Sequence, residues 1–312
     1  MSLPTTDTIV LYPGGAVTST GVVLHREELP DGRAAILLDA TAFHPVDAAW
    51  PDQPADRGTI TVGRNGAGTG TDTGTDLSIV VEDAVVAATD GSSLFVGSDV
   101  PVKKGSDGWA FVVAHLVAGD AAVAEGDAVT VSVDTSYRHA LSIGHTACHL
   151  ASLALNRALA GAWRKEVSVD AAGTPNFDAL AIDSSTIVPG GSVDVYRVGK
   201  SLRKKGFDPE ALADPGAVER AVNATLDDWV AAGSAIRIDR RNDLLTGRRE
   251  WVCDLPGHTV RIPCGGTHAA SLIDIAGVET SLDVRPGDGA VLVTMTTTAT
   301  ADEAQVDDAT AG

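Results

Sequence analysis

At Asp134 the periodicity of the chain changes, and that change divides what it can fold into. Residues 8 to about 134 are short runs rich in Val and Ile, among them "TIVLYP", "STGVVLH", "AAILLDATAF", "GTITVG", "LSIVVEDAVVAAT", "SLFVG", "WAFVVAHL" and "DAVTVSVD". Gly, Asp and Pro punctuate them, the pattern of a β-barrel or sandwich. Beyond Asp134, "RHALSIGHTACHLASLALNRALAG" carries apolar residues at helical spacing and ends at Gly161, a natural C-cap. A second helix is expected over "DPGAVERAVNATLDDWVAAG", with Asp214 as cap, Pro215 in the first turn and Gly233 as the stop. Strand-like runs surround these helices: "SVDVYRV", "SAIRIDR", "REWVCDL", "GVETSLDVR" and "AVLVTMTT". The expected fold class is therefore α+β: an N-terminal β-barrel domain over 1–134, an α+β domain over 135–297, and a disordered acidic tail over 298–312. The stretch "GRNGAGTGTDTGTD" is expected to be a mobile Gly/Thr loop, since it lacks the GxGxxG of a nucleotide fingerprint.

Charge narrows the partners. The chain has 23 basic and 42 acidic residues, a net charge of −19, which by itself disfavours binding to phosphates. The cations are unevenly spread, however, and the tightest cluster is "YRVGKSLRKKGFD". Arg203, Lys204 and Lys205 in it are either a solvated charged loop or a phosphate-contacting patch. No apolar run approaches the roughly 18 residues of a membrane span. The start, "MSLPTTDTIV", lacks a basic, apolar leader. Three cysteines make no disulfide framework. The expectation is a cytoplasmic protein with no membrane partner.

Two short clusters carry chemistry. His145 and His149 stand four apart on the first helix and so share a face. Far downstream, "IPCGGTHAAS" puts Cys264 and His268 four apart with Gly265 and Gly266 between, leaving the backbone free to wrap an ion. Two imidazoles from one segment and a thiolate with an imidazole from the other can close one tetrahedral zinc site. Cys148 lies between the histidines and reads as a core residue. Cys253, His25, His44, His115 and His258 have no partner at ligand spacing, while His139 stays open. A metalloprotease is excluded, because the pentad is His-Thr-Ala-Cys-His and lacks the glutamate base. Asp134 and Arg138 are spaced to pair across the first helical turn.

Together, "RHALSIGHTACHL", "NATLDDWV" and "PCGGTHAASLIDIAGV" resemble the editing domain of alanyl-tRNA synthetases and the free-standing alanyl-tRNA editing proteins. The upstream "LLDATAFHPVDAAWPDQPADRGTI" is similar to that family's N-terminal barrel motif, with "VDAAWPD" in place of its run of glycines. The resemblance covers residues from about 20 to 297. It implies a zinc-binding editing domain in which His145, His149, Cys264 and His268 hold Zn2+. The implied activity is hydrolysis, in trans, of the ester joining serine or glycine to tRNA(Ala). Thr267 and Thr146 are candidates for positioning water or the carbonyl, or for bonding backbone instead. Thr41, in "DATAF", is the candidate partner for a serine hydroxyl. Two rivals stand beside this reading: a zinc hydrolase of a small ester or amide that has left tRNA, and a non-enzymatic binding module. The second is motivated by the ligand count, since four protein ligands close a site that catalytic zinc keeps open. Oligomeric state has no signature in the sequence.

Overall fold

Each strand-like run of the first half alternates between two faces, and where both faces are covered the alternation disappears into continuous apolar sequence. The computed structural model describes residues 3–63, 76–287 and 289–302. Most of the expected Gly/Thr loop, residues 64–75, lies outside the described residues, as does the end of the expected tail, 303–312.

Among the described residues, ten strands precede the first α-helix: β1 Ile9–Val10, β2 Thr18–Glu28, β3 Arg33–Leu38, β4 Ala40–Thr41, β5 Gly58–Val62, β6 Leu77–Val81, β7 Asp83–Thr89, β8 Leu94–Val96, β9 Ala110–Ala118 and β10 Ala128–Val133. There follow α1 Thr135–Ala158, α2 Phe177–Ala181, β11 Ile182–Val188, β12 Gly191–Val198, α3 Lys200–Lys204, α4 Pro215–Ala231, β13 Ile236–Arg240, β14 Arg249–Leu255, β15 His258–Pro263, β16 Ile275–Gly287 and β17 Ala290–Ala301. The protein is thus mixed α+β and rich in sheet. It forms two compact units, one ending at Arg138 and also holding Arg240–Arg249, the other comprising His139–Asp239 and Glu250 onward.

In the first unit, eight strands form one sheet in the order β6-β5-β10-β2-β3-β9-β7-β8. The barrel expected from the sequence is not closed: β6 and β8 are the edges, and no ladder joins them among the described residues. At Glu82 one apolar run breaks into two strands. Its amide donates to the Leu116 carbonyl, so β7 pairs with β9 while β6 pairs with β5. Central strands β3 and β9 send alternate residues to two clusters. Ala34, Ile36, Leu38, Phe111 and Val113 face one core, and Ala35, Leu37, Val112, Ala114 and Leu116 face a smaller one. The segment Arg240–Arg249 joins this unit through backbone bonds from Val10 to Asp243 and from Leu245 to Thr8.

The second unit holds an antiparallel sheet in the order β11-β12-β17-β16 and a three-stranded sheet β13-β14-β15. Helix α4 starts as expected, with the Asp214 carboxylate accepting from the Ala217 amide, and ends at Ala231, just before Gly233 with φ +62°. It lies along β16, where Asn223 Oδ1 accepts from the Thr280 amide at 2.8 Å. Helix α1 stops at Ala158, before Gly161, which has no left-handed φ and caps nothing; a 3-10 turn over Ala160–Ala162 follows instead. Strand β17 runs through Ala301, so the tail expected from 298 begins with four residues of ladder. Among the described residues, no helix is long and apolar enough to cross a membrane.

Candidate metal centre

The position of α1 is set by a close approach that only glycine permits. A Cβ on Gly144 would lie 2.5 Å from the Val188 carbonyl oxygen and 2.6 Å from the Gly191 amide. The helix therefore seats directly on the β11–β12 hairpin, and the neighbouring His145 follows from that seat. Apolar residues Ile143, Ala147, Leu150, Ala151 and Ala154 bury the inner face of α1. Cys148 belongs to this side. Its sulfur is 3.6 Å from Asp194 Oδ1, and burial together with the Asp194 charge pushes its thiol well above the ordinary range. Cys253 is fully buried in β14 and is raised by burial to about 11. Burial thus disfavours the thiolate form of both.

On another face of α1, His145 and His149 stack with centroids 5.0 Å apart. Strand β15 delivers the second pair, because its last residue, Pro263, precedes Cys264. Cys264 Sγ then lies 3.5 Å from His145 Nε2 and 3.2 Å from His268 Nε2. Ligand atoms of His145, His149, Cys264 and His268 all fall within 4.8 Å of one another. The structure brings together all four residues of the expected metal set.

The donor set fits a metal. Zinc bonds of about 2.3 Å to sulfur and 2.0–2.1 Å to nitrogen imply N···S edges of about 3.5 Å in a tetrahedron, close to the two distances found. Nε2 of His149 is buried and has no hydrogen-bond partner among the described residues. A polar atom stripped of water in this way is costly unless something binds it. Burial also holds the His149 imidazole at about 4, below its ordinary 6.5, so at neutral pH it is the unprotonated donor a metal needs. Trp251 of β14, fully buried, stacks on His149 with centroids 5.1 Å apart and an interplanar angle of 19°. Sequence spacing carries no signal for Trp251, which reaches the cluster only through the fold.

The other expected site residues have different surroundings. Thr146 is fully buried; its oxygen accepts from the Ala269 amide at 3.1 Å and is 3.4 Å from His268 Nδ1. Thr267 is buried and accepts from the Ser142 hydroxyl at 2.9 Å. Both hydroxyls are thus engaged within the protein, the bonded arrangement named as the alternative to positioning water or a carbonyl. Gly265 is exposed, and a Cβ there would meet nothing within 4 Å. Thr41, in the first unit, is fully buried, with its hydroxyl 2.9 Å from His115 Nε2 and accepting from the Phe43 amide. That hydroxyl is engaged inside the first unit. His139 has a buried Nε2 without a partner and is not among the clustered ligands.

The basic cluster divides. Arg203, Lys204 and Lys205 are exposed on α3 and the residue after it, while Leu202 anchors that turn in the core. Beside them a cavity of about 470 Å3 is lined by Arg197, Lys200 and Ser201, among others. Farther along the chain, Arg240 pairs with Asp243, and Arg249 donates to the Tyr12 hydroxyl.

No protein-family model matches the chain. It is similar to part of alanine–tRNA ligase. The chloroplastic/mitochondrial alanine–tRNA ligase of Micromonas pusilla is 28% identical over 196 residues, which are 63% of this chain and 20% of that protein. The alanine–tRNA ligase of Ruegeria pomeroyi is 29% identical over 172 residues, 53% of this chain and 18% of that protein. The chain thus spans about a fifth of the length of these curated relatives.

Proposed function

We propose that this protein is a zinc-dependent hydrolase that removes serine or glycine from mischarged tRNA(Ala), acting in trans on tRNA charged elsewhere. The observation that carries the reading is the convergence of His145, His149, Cys264 and His268 in a chain similar to part of alanine–tRNA ligase. Bound zinc supplies a Lewis acid able to polarise an ester carbonyl and to acidify water. His145, Cys264 and His268 would hold it through Nε2, Sγ and Nε2, with Nε2 of His149 as the fourth donor. With the Thr41 hydroxyl bonded to His115 and to the Phe43 amide, we assign selection between amino acids to groups around the cluster. Exposed Arg203, Lys204 and Lys205 give the tRNA backbone a cationic docking point on an otherwise acidic protein.

The test is to incubate the protein with seryl-, glycyl- and alanyl-tRNA(Ala) and follow release of each amino acid. Rapid release of serine or glycine, with alanine retained, supports the reading. Zinc-dependent hydrolysis of small esters without attack on any charged tRNA would transfer the reaction to a small-molecule substrate. Tight zinc without hydrolysis of either class would make the centre structural.

A further inference from the structure

The four ligands come from two segments of chain; Cys264 and His145 are 119 positions apart. The second segment is poorly restrained by its own sequence, since Gly265 is exposed and no neighbour lies within 4 Å of where its side chain would be. Binding a metal across such a loop costs conformational entropy unless other interactions order it first. Two hydroxyls on α1, Ser142 and Thr146, are one helical turn apart and face that segment. Ser142 donates to Thr267 at 2.9 Å, and Thr146 accepts from the Ala269 amide at 3.1 Å, so the residues on both sides of His268 are stitched to the helix. Thr146 Oγ1 also lies 3.4 Å from Nδ1 of His268 itself, while Nε2 of the same ring points at Cys264 Sγ, 3.2 Å away.

We infer that Thr146 is a positioning residue for the metal centre: its oxygen accepts the Nδ1–H of His268 and thereby turns the unprotonated Nε2 toward the ion. The inference rests on the metal reading above and gives Thr146 a role in place of meeting the substrate. Its two acceptor positions are filled by one backbone amide and one ligand ring, so it couples the loop's path to the ligand's tautomer. Outer partners of this kind raise a ligand's basicity and hold its ring, and their loss commonly weakens metal binding 10–100-fold. Ser142 stitches the same loop through Thr267 rather than through a ligand ring, which makes it the internal control.

Zinc affinity measured by competition with a chromogenic chelator, together with the melting temperature of the metal-free protein, separates the roles. Thr146→Val keeps the shape and removes the acceptor. It should weaken zinc about 10–100-fold, and Thr146→Ser should restore most of that loss. Ser142→Ala should lower the melting temperature comparably but weaken zinc much less. In zinc-loaded protein labelled with 15N-histidine, the Nδ1–H of His268 should be a protected resonance that Thr146→Val exposes to exchange. Wild-type affinity in Thr146→Val would overturn the inference while leaving the metal reading intact. So would losses in the Thr146 and Ser142 variants that merely track their melting temperatures. A wild-type protein that holds no zinc against the chelator would overturn the metal reading and this inference with it.

Discussion

The guanidinium of Arg138 donates to Asp56, 82 positions away, from Nε at 2.7 Å and again from a terminal nitrogen, rather than pairing with Asp134 one turn earlier in the helix. Asp134 is engaged elsewhere, its carboxylate capping α1 through the Tyr137 amide at 3.0 Å. Arg138 also donates to the Ala42 carbonyl, and Asp56 accepts from the His44 amide, so the pair is buried with its remaining hydrogen bonds largely satisfied. The Asp of the sequence "QPADRG" is therefore a structural anchor of the first unit. Removing one partner leaves an uncompensated buried charge. Asp56→Ala should cost about 3–5 kcal/mol, read by urea unfolding. A loss below about 1 kcal/mol, the scale of an exposed pair, would contradict this role.

Metal content should follow the ligand atoms. His145→Ala and Cys264→Ala each delete a donor from the cluster, and elemental analysis should find bound zinc sharply reduced in both. Cys148→Ser should keep a full complement, because that sulfur faces Asp194 on another side of α1. Full zinc in both ligand variants would dismiss the site.

Thr41 should report on stability rather than selectivity. Its hydroxyl is bonded to His115 Nε2 and to the Phe43 amide. Thr41→Val leaves both buried groups without that partner, at a cost of about 1–3 kcal/mol. The ratio of seryl- to glycyl-tRNA hydrolysis should stay unchanged. A selective fall in the seryl reaction at unaltered stability would reinstate Thr41 as a reader of substrate.

Neutralising Arg203, Lys204 and Lys205 together should weaken tRNA binding and flatten its dependence on salt, because a phosphate that meets no cation keeps its counterion instead of releasing it. These side chains are exposed, so the melting temperature should hold. Zinc-dependent cleavage of a small ester should also persist, and a parallel loss on both substrates would rule out a phosphate-contacting role.

Acid should destabilise the first unit through two histidines. Burial holds His44 and His115 at about 4, below the ordinary 6.5. Between these values the unfolded chain binds more protons, so their contribution is complete above about 6.5 and is lost as pH falls toward 4. Near pH 5 each takes up close to one proton on unfolding, about 1.4 kcal/mol per pH unit for each. Asp178 in the second unit has the opposite sign. Burial raises it to about 6, so what it favours in the native state is present below its ordinary value and is lost as pH rises through 6. Urea midpoints of the first unit's transition, measured from pH 7 to pH 5, should fall; flat or rising midpoints would contradict the assignment.

What the sequence determined by itself is local. Four-residue spacing puts His145 and His149 on one helical face wherever that helix packs, and "CGGTH" holds Cys264 near His268 along the chain whatever the fold. The short Val- and Ile-rich strands of the first half, the cap at Asp214 and the left-handed Gly233 after α4 are equally short-range, and all are found. Tertiary structure alone decided the partners. Arg138 could reach Asp134 or Asp56, and closure of the chain selected Asp56. The run "LSIVVEDAVVAAT" breaks at Glu82, and its two halves pair with different strands. Strand β15, which delivers Cys264, was not legible because "HTVRIP" is short and draws its stability from pairing with β14. Thr41, Thr146 and Thr267 look alike in sequence, since a hydroxyl carries no mark of whether it will face solvent or fill a buried bond. Burial and hydrogen bonding are sums over neighbours distant in the chain, so only the folded packing distinguishes a hydroxyl that meets a substrate from one that holds a ligand in place.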